Sequence, residues 1–276
     1  MPAEIIDGSQ IAKSIRSQIR RQVKKLKFTP GLVVVQVGDD PASTIYVTNK
    51  ERDCKRVNFH SEVYKLPSNT SQAEIIDQVQ LLNEREDVHG IIVQMPLPTG
   101  IDGQAVIDAI SPEKDADGLS PVNLGNLLIN RERVTPCTPT GVIRLIESTG
   151  VAVEGKRAVC LGRSSLVGKP VGLMLLNRNA TVTYCHTRTR NLAEEIRQAE
   201  ILVVAAGKPG IVTAPMVSEG TVVIDVGISR VNGRAAGDVD YESVRNVAGF
   251  ITPVPGGVGP MTRAMLLENT LKLATA

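Results

Sequence analysis

Short runs of valine and isoleucine alternate along this chain with longer segments whose apolar residues recur at helical spacing, and that alternation limits the fold more than any single motif does. Apolar runs of roughly four to eight residues read as strands buried on both faces. Strands separated by helices pair in parallel, because parallel neighbours need a crossover connection. In the first half Ile11, Ile15, Val23 and Leu26 mark a helix, "GLVVVQVG" at 31–38 a buried strand, and the segment around Tyr46 and Lys50 a second helix. A strand near 59–66, a helix near 71–86 and the strand "GIIVQMP" at 90–96 follow. The second half repeats the pattern with "RAVCLG" (157–162), "TVTYC" (181–185), "ILVVAAG" (201–207) and "TVVIDVG" (221–227). Between the halves, Ile110 to Gly141 carries prolines at 112, 121, 136 and 139 and reads as loop-rich, which places a domain boundary near its end.

The 276 residues exceed the usual size of one domain. The expected fold class is therefore α/β in two domains: an N-terminal α/β domain over 1–140 and a C-terminal Rossmann-type domain with a parallel sheet over 141–259. The closing segment "MTRAMLLENTLKLATA" has helical spacing, and residues 260–276 are expected to pack back on the first domain. No apolar run approaches the roughly 18 residues of a membrane span, and the charged N-terminus lacks a signal core. A soluble cytoplasmic protein is expected. Basic and acidic residues number 31 and 29. The basic run Arg20, Arg21, Lys24, Lys25 and Lys27 has no aromatic interleaving, so it reads as a solvated helix face and no nucleic-acid partner is expected. Cys54, Cys137, Cys160 and Cys185 lie far apart without a C-x-x-C pair, which points to free thiols and to no metal site.

The stretch "GRSSLVGKPVG" at 162–172 follows a strand and precedes an apolar helical segment. Gly162 permits a tight turn, Gly168 close helix packing, and Ser164 takes the middle position of G-x-G-x-x-G. Alone this is a weak signal that an ordinary strand-to-helix turn also produces. Its context favours an anion site, since a helix N-terminus there faces the strand's carboxyl end. About 20 residues on, where NAD-binding proteins offer an acid to the ribose, stand His186, Thr187, Arg188, Thr189 and Arg190. The missing acid, the two arginines and Arg163 in the loop suit the extra phosphate of NADP.

Tyr46 and Lys50 in "YVTNK" share one helix face. One dehydrogenase class uses this spacing as a catalytic pair, but there the nucleotide loop precedes the pair, and here it follows. Gln94 ends a strand before "MPLP", whose prolines hold it at the rim, and Asp117 lies in "KDADG". Each alone has an ordinary explanation: a half-buried tyrosine, a surface lysine, an aspartate turn.

Taken together, "YVTNK" at 46–50, "VQMPLP" at 93–98, "KDADG" at 114–118, "TPCTPTG" at 135–141, "GRSSLVGKP" at 162–170 and "TPVPGGVGPMT" at 252–262 resemble, in order, the bifunctional methylenetetrahydrofolate dehydrogenase/cyclohydrolase family. The resemblance spans nearly the whole chain, and the 252–262 string is its most specific part. It also accounts for the order of motifs, because in this family the tyrosine and lysine belong to a separate N-terminal domain. It implies oxidation of 5,10-methylenetetrahydrofolate with NADP and hydrolysis of the methenyl product to 10-formyltetrahydrofolate, in one-carbon metabolism, by a homodimer. It further implies Lys50, Tyr46 and Gln94 as the catalytic residues, with Lys50 the catalytic lysine, Gln94 positioning and polarising the folate and lysine, Tyr46 also packing against the folate ring, and Asp117 as the pterin anchor. Pro255, Gly256, Gly257 and Val258 would border the folate, and Gly162, Arg163, Ser164, Val167, Gly168, Thr187 and Ser229 would bind the cofactor. Ser229 stands where the family usually has asparagine, Thr187 where serine is common, and Met95 where leucine is frequent.

Two other classes compete. A shikimate-dehydrogenase-like enzyme shares the domain order but gives no reason for the 252–262 loop. A non-catalytic dinucleotide sensor leaves Lys50, Gln94 and Asp117 without a purpose. The residues at 186–190 and Arg163 predict preference for NADP over NAD, and Arg163→Ala is expected to narrow it by weakening NADP binding. Steady-state kinetics with both cofactors check this; equal catalytic efficiency with the two in the unaltered enzyme contradicts it.

Overall fold

In the computed structural model, which describes residues 1–231 and 233–276, the apolar runs form parallel strands. The chain divides into two compact units, Lys13–Cys137 with Arg263–Ala276, and Met1–Ala12 with Thr138–Thr262. Strand β1 (Glu4–Ile5) and helix α1 (Gly8–Val23) open the chain.

The first unit then runs β2 (Gly31–Val37), α2 (Pro41–Val57), β3 (His60–Leu66), α3 (Gln72–Glu84) and β4 (Gly90–Val93). The strands pair in parallel in the order β3-β2-β4. Every residue of the central β2 is buried, whereas β3, at the edge, is half-exposed. This is why the first reads as continuous valine and the second carries Glu62 and Lys65. Val33, Val35, Ile91 and Val93 pack against Ile75, Val79 and Leu82 of α3 to form the core. A reciprocal capping box between Ser71 and Glu74 fixes where α3 starts. Helix α4 (Gly103–Asp108) ends before the stretch expected to be loop-rich, Ile110 to Gly141, and that stretch contains α5 (Pro121–Leu128). Pro121 begins α5 instead of forbidding it, because the first helical position needs no N–H donor and Ser120 caps the turn.

After α6 (Cys137–Ser148) the second unit continues through β5 (Arg157–Leu161), α7 (Gly168–Leu176), β6 (Thr181–Cys185), α8 (Leu192–Arg197), β7 (Ile201–Val204) and β8 (Val222–Asp225). A small antiparallel pair, β9 (Ser229–Val231) and β10 (Arg234–Ala236), precedes α9 (Tyr241–Val244), β11 (Phe250–Ile251) and α10 (Val258–Ala274). The main sheet has the order β1-β11-β8-β7-β5-β6, all parallel. From β5 the chain moves outward to β6, then returns across to β7, so the winding reverses between β5 and β7. In doubly wound sheets ligands bind beyond the carboxyl ends of the strands at such a point.

One expected boundary is corrected. Residues 1–12 were expected in the N-terminal domain, yet they belong to the second unit because β1 adds to β11 as a parallel edge strand. Two-residue strands carry no detectable alternation, so β1 and β11 escape a pattern reading. Helix α10 contributes its residues up to Thr262 to the second unit and the remainder to the first. Among the described residues no helix is long and apolar enough to cross a membrane.

Candidate active site

Within the first unit, Lys50, Gln94 and Asp117 come together at the carboxyl end of β4. Helix α2 starts where Asp40 accepts a hydrogen bond from the Ser43 N–H at 2.7 Å and Pro41 fills the first turn. Lys50 lies on the third turn of that helix, and its Nζ donates to Gln94 Oε1 at 3.0 Å. Gln94 follows β4 directly; its backbone N–H continues the ladder to Val35 O at 2.8 Å, and its Nε2 donates to Met95 O at 2.6 Å. With the amide nitrogen held by that carbonyl, the oxygen is fixed toward the lysine. Burial lowers the Lys50 pKa from its ordinary value, an effect that the nearby Asp117 carboxylate partly offsets. Burial raises Asp117 in turn, with Lys50 and a hydrogen bond from Cys137 working against the rise and Asp115 adding to it. Tyr46 lies one turn before Lys50 and is 40 % exposed.

The loop that carries Asp117 is held by groups the sequence reading did not single out. Asp115, fully buried, accepts from Gly118 N at 2.9 Å, Ser120 N at 2.7 Å and Asn123 Nδ2 at 2.9 Å. Of the two acids in "KDADG", Asp115 thus builds the loop and Asp117 is the one that faces Lys50. Asn269, on α10, donates through Nδ2 to Ala116 O at 3.0 Å and Thr135 O at 2.8 Å. The Cys137 thiol lies 3.2 Å from Ala116 O and within hydrogen-bonding reach of Asp117, and burial pushes its pKa well above the usual thiol range, so it stays a donor. One turn beyond Lys50, the buried Asp53 takes Arg263 at 2.8 Å and Arg56 at 3.0 Å, with Arg16 at 3.8 Å. Arg263 also acts on Lys50, pushing its pKa further down.

In the second unit the glycine turn lies at the reversal between β5 and β7. Gly162 has φ 130°, and a Cβ there would collide with Ala205 O; a Cβ on Gly168 would collide with Gly162 O. Only glycine fits either position. Ser164 Oγ accepts from Val167 N at 3.1 Å and Gly168 N at 3.4 Å, so the serine in the middle of the motif closes the first turn of α7. Arg163 is exposed beside it. After β6, His186 N donates to Thr189 Oγ1 at 2.8 Å and Arg188 N to His186 Nδ1 at 3.1 Å, which folds 186–190 into a turn with Thr187, Arg188 and Arg190 exposed and no acid among them. Ser229 begins β9 opposite Ala236. In the 252–258 loop Gly257 N donates to Pro253 O at 2.9 Å, Ser9 Oγ to Gly256 O at 3.3 Å, and Val258 is buried. A collision-limited glycine turn, exposed arginines and the missing acid fit a phosphorylated dinucleotide.

Comparison with known proteins decides the family. Residues 6–117 match the model for the tetrahydrofolate dehydrogenase/cyclohydrolase catalytic domain, and residues 136–276 match that for the NAD(P)-binding domain of the same family. The chain belongs to the tetrahydrofolate dehydrogenase/cyclohydrolase family. It is 55% identical over 278 aligned residues to the bifunctional protein FolD of Moorella thermoacetica, covering 99% of both chains. Its fold matches the crystal structure of the bifunctional FolD enzyme from Campylobacter jejuni with TM-score 0.97 and 43% identity, covering 99% of each. The Trypanosoma brucei methylenetetrahydrofolate dehydrogenase-cyclohydrolase, solved with NADP cofactor and inhibitor, matches with TM-score 0.94 and 40% identity over 100% of this chain and 98% of that one. The match over the full length favours this family over the shikimate-dehydrogenase-like enzyme and the non-catalytic sensor.

Asn269→Leu tests the support beneath Asp117. It removes one hydrogen bond from each of the Ala116 and Thr135 carbonyls, at about 0.5–1.5 kcal/mol for each bond. Urea unfolding is expected to show that loss, with weakened folate binding by calorimetry and unchanged NADP binding. Unaltered stability and folate affinity contradict the role.

Proposed function

We propose that this chain oxidises 5,10-methylenetetrahydrofolate to the methenyl compound with NADP and then hydrolyses it to 10-formyltetrahydrofolate, in the first unit around Lys50. The observation that carries this reading is the Lys50 amine, held 3.0 Å from Gln94 Oε1 in a place whose burial lowers its pKa. NADP, when bound, supplies the hydride acceptor. The chain's own part in that step is positioning.

Hydrolysis asks more of the side chains. Water adds to the methenyl carbon and loses a proton; as the bond from that carbon to N5 breaks, N5 takes a proton and the added hydroxyl gives up its own to become the formyl C=O on N10, so that one proton is released overall. A lysine that releases its proton readily accepts one from the water and returns one to N5, and a cationic substrate beside it favours the neutral amine further. Gln94 aims the amine. Asp117 anchors the pterin by hydrogen bonds to its amino group and ring nitrogen, and Tyr46 covers the ring face. Pro255, Gly256, Gly257 and Val258 complete substrate binding, while Gly162, Arg163, Ser164, Val167, Gly168, Thr187 and Ser229 hold the cofactor, with Arg163, Arg188 and Arg190 near its extra phosphate. The enzyme acts as a cytoplasmic homodimer that supplies one-carbon units, purine biosynthesis among their uses.

Lys50→Met keeps the side-chain length and removes the proton. Cyclohydrolase activity on directly supplied methenyltetrahydrofolate is expected to fall by about 10²–10⁴, the usual worth of positioned proton transfer, while a measurable fraction of dehydrogenase remains. Equal loss of both activities would assign Lys50 to positioning, and retained hydrolysis would remove it from the mechanism.

A further inference from the structure

The six-stranded unit buries two carboxylates that none of the roles above employs. Asp225 ends β8 and Asp238 precedes α9; they are 3% and 0% exposed. Asp225 Oδ1 accepts from Gly227 N at 2.9 Å and Asp238 N at 3.0 Å, its Oδ2 from Val239 N at 2.9 Å, and its own N–H donates to Thr252 Oγ1 at 2.8 Å. Asp238 Oδ2 accepts from Ala206 N and Gly207 N, both at 2.7 Å. Its Oδ1 is buried and makes no hydrogen bond among the described residues.

What these bonds hold matters more than the bonds themselves. Ala206 and Gly207 follow β7, beside the point where the sheet's winding reverses. Ala205 N donates to Leu161 O at 2.7 Å, and Ala205 O lies so close to Gly162 that no side chain fits there. The floor of the cofactor turn is therefore the 205–207 backbone. That backbone is fastened by a carboxylate from a segment about thirty positions later. Packing alone gives no reason for an acid with one unpaired oxygen in this place, since such a group is costly to bury. Through Asp225 and Thr252 the same cluster reaches the loop that begins after β11.

We propose that Asp238 is a positioning residue for the cofactor: by accepting the Ala206 and Gly207 N–H groups it fixes the turn on which Gly162 rests, and so sets the geometry of NADP binding. This rests on the NADP reading of the half-site. Asparagine at this position still presents one oxygen to both N–H groups, and its NH₂ takes the place of the unpaired oxygen. Alanine removes the acceptor altogether.

The test is calorimetry with NADP on the full-length Asp238→Ala and Asp238→Asn variants. Asp238→Ala is expected to weaken NADP binding about tenfold or more and to raise the KM for NADP more than it lowers kcat, whereas Asp238→Asn stays within about twofold of the unaltered enzyme. Circular dichroism and a cooperative urea transition matching those of the unaltered enzyme report that each variant is folded. Normal NADP affinity in a folded Asp238→Ala variant, or equal loss in both variants, overturns the proposal. Should Asp238→Ala not fold, hydrogen exchange at Ala206 and Gly207 in the unaltered enzyme decides: protection without cofactor supports the role, and free exchange at both overturns it. An unaltered enzyme that fails to bind NADP would instead sink the cofactor reading on which this rests.

Discussion

Removing Lys50 from water is the constraint to which the rest of the first unit answers. An ammonium loses most of its hydration on burial, so it becomes easier to deprotonate unless a partner compensates. Asp117 compensates in part and Arg263 works in the other direction. Gln94 supplies a neutral acceptor that orients the amine without restoring its charge. A carboxylate in place of Gln94 would hold the proton on Lys50. Asp117 shares the same desolvation, and its raised pKa is the matching cost of setting an acid beside a buried amine. The support is concentrated where this balance needs it: three donors fix Asp115, Asn269 ties the loop to α10, and Asp53 gathers the arginines of α1, α2 and α10.

The second unit solves a different problem with the same means. Its ligand needs backbone that approaches closely and stays still, so glycines meet carbonyls at the β5 and β7 ends, and buried carboxylates fasten turns that no sheet ladder reaches. Asp225 titrates at about 6, raised by burial against three backbone donors and raised again by Asp238. A raised carboxyl pKa in the folded state means that the native protein holds this proton more tightly than the unfolded chain. Asp225 therefore favours folding most below its ordinary carboxylate range, and this contribution declines as pH rises toward 6.

The parallel strands and the positions of Lys50, Gln94 and the glycine turn were readable because their signals are local, whereas the strand order was not. The apolar run at 31–37 marks a strand buried on both faces, and the prolines after Gln94 mark the end of β4. The glycine turn carries its own punctuation. Less legible were the two-residue strands, which have no period, and α5, where prolines suggest loop until the Ser120 cap is seen. "KDADG" shows two acids and no means of telling which one builds the loop; the donors that separate them include Asn123, and Asn269 holds the loop from 153 positions away. Asp238 gives no motif at all, because its partners are backbone N–H groups whose direction only the fold supplies.

The protonation of Lys50 is measured most directly by an NMR titration of the enzyme with isotope-labelled lysine side chains, the Lys50 signal being identified by its absence in Lys50→Met. Burial predicts that this amine titrates below an ordinary lysine. An ordinary lysine value near 10.4 would contradict the role of desolvation in the mechanism.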